Sequence, residues 1–184
     1  MYNFCRSRYR HKEERYLTMK KFFALVVAML LAFSCAALAE DMDAEVSYEG
    51  VWVEMDFGLG MYVPEDWYIA ETTDEQAAAG IFAFFTNEDM SQTLQVSVGA
   101  LADQSMSLES ILEGLSQVYE NAAIVELPNG PMLTYADYEK GVFCAMTIDG
   151  ENGLLYTLNF VPYSEEFALL ASEIICTFGY ISFE

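Results

Sequence analysis

The sequence has little positive charge, and nearly all of it lies close to the start. Lys and Arg total 8 of 184 residues, against 29 Asp and Glu, and the single His is His11. Seven of the eight bases come before residue 22, and they are Arg6, Arg8, Arg10, Lys12, Arg15, Lys20 and Lys21. Beyond that point Lys140 is the one base, and neither Arg nor His occurs.

This shortage excludes several classes of function for the later part of the chain. Without His, it cannot form a Ser-His-Asp triad, a Cys-His dyad or a His-ligated zinc site. A protein binds nucleic acids or anionic lipids through Lys and Arg side chains that displace their counterions. This acidic part of the chain is therefore expected to repel both. We therefore expect a non-catalytic protein without a cofactor. Its partner would be another extracellular protein, a neutral ligand or a cationic ligand.

The basic segment has the features of an export signal. Met19-Lys20-Lys21 is followed by an apolar run over residues 22–33, which is shorter than the ~20 residues that span a membrane. Ala37-Leu38-Ala39 matches a cleavage site, which would make Glu40 the first mature residue. The sequence thus predicts an N-terminal extension and signal peptide over residues 1–39, with the signal itself at 19–39. Met1 and Met19 are alternative starts, and the predicted location is secreted or cell-envelope.

The predicted mature chain is strongly acidic. Removing Glu13 and Glu14 leaves 27 of the 29 carboxylates, so with Lys140 the formal charge is 1 − 27 = −26. Residues 40–49 are acidic and without periodicity, and they predict a flexible leader. Aromatic residues make up 15% of the chain, enough to bury a core, so residues 50–184 are expected to fold as a single domain.

Hydrophobic periodicity predicts an α+β fold. Alternating or short apolar segments predict strands near residues 51–57, 59–63, 67–69, 81–86, 93–101, 123–127, 132–138, 142–148 and 154–161. A helix is predicted from Leu108 to Tyr119 after the N-cap Ser107, and a second after Ser164 with Gly179 as its C′ residue. Tight turns between neighbouring strands indicate a mostly antiparallel sheet with helices packed on its faces.

One short motif resembles a known family. Met61-Tyr62-Val63-Pro64-Glu65-Asp66-Trp67 is similar to the "aromatic-x-Pro-x-x-Trp" opening of PsbP-like proteins. The element order and the closing amphipathic helix are similar as well. The resemblance implies an α-β-α sandwich and an exported bacterial member of that family, and it implies no catalytic residues.

Few residues qualify as a candidate site. Asp149, Glu151 and Asn152 are weak candidates for a cation site, although a hairpin turn explains the same loop. Trp52 is a weak candidate for stacking on a ligand, whereas Trp67 is expected in the core. Calcium or another cation bound at the surface is therefore an alternative function.

Carboxylate chemistry is a further alternative. Glu54 with Asp56, or Glu65 with Asp66, could serve a hydrolase acting on a neutral glycan, provided that the two groups converge in a cleft. Lys140 is expected to be a solvated turn residue.

Two cysteines, Cys144 and Cys176, follow the predicted cleavage site. They are too few for a four-thiolate metal site, and they form either a disulfide or two buried thiols. Cys176 is expected to lie off the apolar stripe of its helix, which does not favour their contact.

Overall fold

The computed structural model describes residues 46–181. The predicted signal peptide, its cleavage site at Ala39 and Glu40, and most of the acidic leader lie outside these residues. Within them no helix is long and apolar enough to cross a membrane.

Ten strands and three α-helices make up the described residues, which confirms the α+β prediction. The strands are β1 (Gly50–Met55), β2 (Leu59–Pro64), β3 (Trp67–Ile69), β4 (Ile81–Asn87), β5 (Thr93–Ala100), β6 (Ala123–Leu127), β7 (Gly130–Asp137), β8 (Val142–Asp149), β9 (Leu154–Val161) and β10 (Gly179–Tyr180). The helices are α1 (Asp74–Ala78), α2 (Leu108–Leu115) and α3 (Glu165–Thr177).

The strands form two antiparallel sheets. The large sheet has seven strands in the order β3-β4-β5-β9-β8-β7-β6, and the small sheet has three in the order β1-β2-β10. Strand β9 lies between β5 and β8, so Gln95 pairs with Asn159, which is distant in sequence. The chain returns to the small sheet only at its end, where Gly179 pairs with Gly60.

The core lies between one face of the large sheet, helix α3 and the small sheet. Helix α3 contacts β2 of the small sheet and β8 and β9 of the large one. Alternate residues of the strands point into this space and are fully buried, as in Leu94, Leu158 and Met61. Trp67 is only 6% exposed and packs against Phe167, as the sequence predicted. We call this side of the large sheet the core face.

The opposite side of the large sheet, which we call the far face, is covered in part by α2. This helix contacts β6 and β7. Leu133, Tyr135 and Asp137 alternate with the core residues of β7 and so point to the far face. Tyr119, in the segment after α2, stacks on Tyr135 with ring centroids 4.5 Å apart. Helices therefore pack on both faces, as predicted.

One of the two helix ends differs from the prediction. Helix α2 ends at Leu115 rather than Tyr119, because the backbone turns there and Tyr119 is held by contacts on the far face. Helix α3 ends at Thr177, and Phe178 is already extended. Phe178 is the C-cap, so Gly179 is the C′ residue, as predicted, but it continues as strand β10 paired with Gly60 instead of adopting a left-handed cap conformation.

The end of the predicted flexible leader is anchored to the domain. The hydroxyl and the backbone N–H of Ser47 both donate to the Glu173 carboxylate, with the shortest contacts at 2.8 Å. Tyr48 stacks on Tyr62. Residues 46–49 therefore belong to the folded structure, and the predicted leader is too long by that much.

The two cysteines are buried thiols on opposite sides of the large sheet, and no disulfide joins them. Cys144 points to the far face, where burial raises the pKa of its thiol to about 12. Cys176 packs in the core with Ile175 and Phe178, so the expectation that it lies off the apolar stripe was wrong. Helix α3 is enclosed on most sides, which buries its polar Ser172 as well.

Candidate functional site

Trp52 lies on the exposed side of the small sheet. It pairs with Tyr62 across β1 and β2, whereas the alternate residues Leu59 and Met61 face the core. Half of the Trp52 side chain, 50%, is exposed to solvent. Its exposure makes it available for the stacking role that the sequence suggested.

Gly60 creates the space that the Trp52 ring occupies. A Cβ at position 60 would lie 2.9 Å from both Cζ2 and Nε1 of Trp52, and 3.0 Å from Cγ1 of Ile181. The indole therefore lies across the backbone of Gly60, beside Ile181. A glycine inside a strand often marks such a close approach. The strand pattern in the sequence did not reveal this contact.

A second pair of rings stiffens the same sheet. The Tyr48 hydroxyl donates to the Tyr62 carbonyl at 2.7 Å, and the Gly50 N–H donates to the Tyr62 hydroxyl at 3.0 Å. Burial, assisted by the Glu173 carboxylate, raises the pKa of Tyr48. The Tyr62 N–H donates to Thr177 Oγ1 at 2.9 Å, which ties β2 to α3. Trp52 therefore lies on a sheet that is held by the Tyr48–Tyr62 contacts and by the hydrogen bond from β2 to α3.

The hairpin end of the small sheet exposes two more aromatic rings, Phe57 and Tyr180. Phe57 has a φ of 66°, a left-handed conformation that is uncommon for a bulky residue. Edge contacts to Phe82 and Tyr156, with centroids 5.2 and 6.3 Å away, hold its ring in place. Strained, exposed residues of this kind are enriched at binding sites.

The cation-site candidates form a hairpin turn. Asp149 Oδ1 accepts from the backbone N–H groups of Glu151 and Asn152, each at 3.0 Å. Its Oδ2 accepts from Asn152 Nδ2 at 2.7 Å and from the Tyr180 hydroxyl. These hydrogen bonds lower the pKa of Asp149, and the bond from Tyr180 has the largest effect. Burial and the hydrogen bond to Asp149 raise the pKa of Tyr180. Asp149 therefore orients Tyr180.

Metal-ligating side chains do not converge there or elsewhere in residues 46–181, where no group of three His, Cys, Asp or Glu side chains could hold an ion. The acidic pairs Glu54 with Asp56 and Glu65 with Asp66 are exposed. Glu54 lies directly across from Gly60, next to the Trp52 ring. Tyr180 pairs with Leu59, and Phe57 packs on Phe82 and Tyr156, so these two rings lie on the core-facing side of the small sheet, opposite to Trp52. We define the aromatic surface as the exposed Trp52 ring together with the exposed carboxylates Glu54 and Asp56, which alternate with it along the chain.

A concave site lies on the far face of the large sheet. It encloses about 240 Å³ and is lined by Gln95, Tyr119, Tyr135, Asp137, Lys140, Val142, Asn159 and Val161. We call it the far-face cleft. No sequence motif identified it, because its residues come from four strands and two loops that only the sheet order brings together.

An ion pair closes one end of the far-face cleft. The Lys140 side chain is 74% exposed, as expected for a turn residue, and its Nζ lies 3.1 Å from Asp137 Oδ2. The Tyr119 hydroxyl donates to the same oxygen at 3.0 Å, and the Lys140 N–H donates to Oδ1 at 3.0 Å. These bonds lower the pKa of Asp137, and the bond from the Lys140 backbone N–H has the largest effect. The Asp137 carboxylate in turn raises the pKa of Tyr119 and of Lys140.

Comparisons with known proteins leave the family open. No family model matches the chain, and no curated protein matches it. Similar solved structures include a protein of Bacteroides thetaiotaomicron VPI-5482, whose crystal structure is known at 1.50 Å. It is 18% identical with a TM-score of 0.46, and the match covers 68% of this chain and 46% of that one. The chain thus spans less than half of this neighbour's length, and the similarity is too low to carry a functional argument.

Proposed function

We propose that this protein is an exported, non-catalytic binding module that holds a positively charged protein segment on its aromatic surface. One observation carries the proposal. The indole of Trp52 lies across Gly60 with half of its surface in solvent, and the carboxylate-bearing Glu54 is its neighbour on the sheet.

The aromatic part of the surface supplies contact area at low entropic cost. Large exposed rings that are already fixed in position lose little freedom when a partner binds. Trp and Tyr are over-represented among the residues that dominate binding energy at interfaces. The Trp52 ring is confined by Gly60 and Ile181. The surface is therefore preorganised for binding.

The charge of the chain favours a basic partner. The predicted mature charge of −26 repels anions and attracts cations. Lys140, the one base within residues 46–181, lies in the far-face cleft rather than on the aromatic surface. A Lys or Arg placed over an exposed Trp ring gains about 0.5–1 kcal/mol. Trp52 beside Glu54 combines this attraction with a direct carboxylate contact.

The position of β1 favours an extended segment. In the described part of the chain β1 is an edge strand, paired only with β2. An extended peptide can add to such an edge through backbone hydrogen bonds. Val51, at this edge, is exposed as well. A basic strand lying along β1 would place its side chains next to Trp52.

The alternative of a carboxylate hydrolase is less well supported. A general acid needs a carboxyl group whose pKa is raised by its surroundings. Hydrogen bonds instead lower the pKa of Asp137, in the far-face cleft, and of Asp149, in the hairpin turn between β8 and β9. The export signal and the PsbP-like motif, both read from sequence, are consistent with a binding role outside the cell.

Titration calorimetry with synthetic peptides tests the proposal. The probe is an extended peptide of alternating Lys and Val, and its matched control has Ser in place of Lys. We expect the Lys peptide to bind and the Ser peptide to bind far more weakly. Trp52→Ala should weaken binding about fivefold, the equivalent of roughly 1 kcal/mol.

Tyr68→Ala is the matched control variant, because Tyr68 is an exposed aromatic on β3 of the large sheet. It should bind the Lys peptide as the wild type does. The proposal fails if both peptides bind equally, or if Trp52→Ala and Tyr68→Ala have the same effect.

A further inference from the structure

The far-face cleft is built around a row of side chains that crosses the large sheet. Gln95 of β5 pairs with Asn159 of β9, which pairs with Cys144 of β8, which pairs with Tyr135 of β7. Residues directly opposite one another share a face, so all four point to the same side. Cys144 is buried at the base, and the amides of Gln95 and Asn159 and the ring of Tyr135 line the cleft.

The two amides have unused hydrogen-bonding capacity. Neither the Gln95 nor the Asn159 side chain makes a hydrogen bond to any other group in residues 46–181. Each carboxamide offers two N–H donors and a carbonyl acceptor. Two half-buried amides side by side can therefore bind a ligand that presents adjacent groups able both to donate and to accept.

Aromatic rings form one wall of the cleft. Tyr119 and Tyr135 stack with an interplanar angle of 26°, and the Tyr119 hydroxyl is fixed by Asp137. Such a wall suits the apolar side of a compact ligand, while the amides bind its polar edge. Val142 and Val161 add apolar surface. This combination of a few converging polar groups with aromatic and apolar walls is typical of small-molecule sites.

The charges at the cleft favour a neutral ligand. Lys140 and Asp137 lie 3.1 Å apart, so their charges offset one another. The remaining lining residues are uncharged. An anion would meet the strongly acidic chain, and a cation would compete with Lys140 for Asp137. At about 240 Å³ the cleft is also smaller than the roughly 300–1,000 Å³ of pockets for drug-sized ligands.

We propose that the far-face cleft binds a neutral polyhydroxylated ligand the size of one sugar ring, held by Gln95 and Asn159 against Tyr119 and Tyr135. Vicinal hydroxyls match the paired donors and acceptors of the two amides. This site is separate from the aromatic surface, because it lies on the far face of the large sheet, which the small sheet does not cover.

The side-chain amide resonances of Gln95 and Asn159 in ¹⁵N-labelled protein test the proposal directly. The probes are glucose, galactose, mannose and N-acetylglucosamine, with glucuronate and glucosamine as charged comparators. We expect at least one neutral sugar to shift both amide resonances saturably, and the charged comparators to bind more weakly. Asn159→Ala should weaken binding about tenfold, since it removes two hydrogen bonds of typical strength.

Two controls separate a specific loss from a general one. Thr157→Ala alters the same strand and the same face two residues away, outside the cleft lining, and should bind as the wild type does. Trp52→Ala should also leave the sugar affinity unchanged, although it weakens peptide binding. Gln95→Ala replaces Asn159→Ala if the latter lowers stability. The proposal is overturned if no neutral sugar shifts the two resonances, if the charged comparators bind as tightly, or if the amide variants bind normally.

Discussion

Gly60 and Trp52 show how a single residue without a side chain shapes a surface. Any side chain at position 60 would meet the indole of Trp52 and the side chain of Ile181. The backbone of Gly60 is in an ordinary strand conformation, so its role is to leave space rather than to adopt a special φ. Packing an aromatic ring over a strand glycine also shields the exposed backbone. The presentation of Trp52 therefore depends on Gly60.

Gly60→Ala is expected to displace the Trp52 ring while the domain stays folded. The added methyl group would lie too close to the indole, and an exposed ring can swing away at modest cost. We expect weaker binding of the Lys peptide and a shifted Trp52 indole N–H resonance, with a melting temperature lowered by only a few degrees. Calorimetric titration and NMR measure these effects.

Gly99→Ala is the control for the Gly60 variant, because a Cβ at position 99 would meet nothing within 4 Å. Gly99 lies on β5 of the large sheet, away from Trp52. Equal peptide affinity in the two variants would contradict the role given to Gly60.

At the scale of elements, local sequence signals predicted which helices and strands form better than they predicted where each one ends. The hairpin β8–β9 and the N-caps Ser107 and Ser164 follow from residues that are adjacent in sequence. The end of α2 does not, because the apolar spacing continues to Tyr119, whose position is fixed by contacts with Tyr135 and Asp137 in another strand.

The two sites differ in how far the sequence could reveal them. Trp52 and Gly60 belong to one hairpin, so its register alone brings them together. Once the turn at Asp56–Gly58 is placed, the pairing of Glu54 with Gly60 follows. The far-face cleft needs β9 to insert between β5 and β8, a long-range pairing that residue patterns near Gln95 or Asn159 do not encode.

The N-cap of α3 should matter more for stability than that of α1. Ser164 accepts a hydrogen bond from the Phe167 N–H at 3.0 Å, and α3 is central to the core. Ser164→Ala should lower the free energy of unfolding by about 1 kcal/mol. Urea denaturation followed by circular dichroism measures this change.

Thr73→Ala removes the corresponding cap of α1, a helix with no buried residue. Fraying of so exposed a turn should change global stability by less than about 0.5 kcal/mol. Equal losses in the two variants would mean that α3 does not form the cooperative centre of the fold.

For the whole molecule, the main energetic feature is unbalanced negative charge. The described residues contain a single ion pair, between Lys140 and Asp137, so most carboxylates have no basic partner. Their mutual repulsion opposes the compact state and is reduced by screening. The same imbalance underlies the proposed choice of a basic partner.

The melting temperature should therefore rise with salt. We expect an increase between low and physiological ionic strength in NaCl. Calcium and magnesium chloride should give similar increases at matched ionic strength, since the Asp149 turn already occupies both of its carboxylate oxygens. A melting temperature independent of salt would contradict this account of the charge. A much larger effect of calcium than of magnesium would indicate a specific calcium site instead.

The central claim is that the aromatic surface around Trp52 binds a basic extended segment. The chain contains two tryptophans, and the buried Trp67 serves as an internal reference for the exposed Trp52. The most direct test is to follow both indole N–H resonances while the Lys-Val peptide is added. We predict that the Trp52 resonance shifts saturably and that the Trp67 resonance stays in place. If the peptide binds while the Trp52 resonance does not move, the partner lies elsewhere and the claim is wrong.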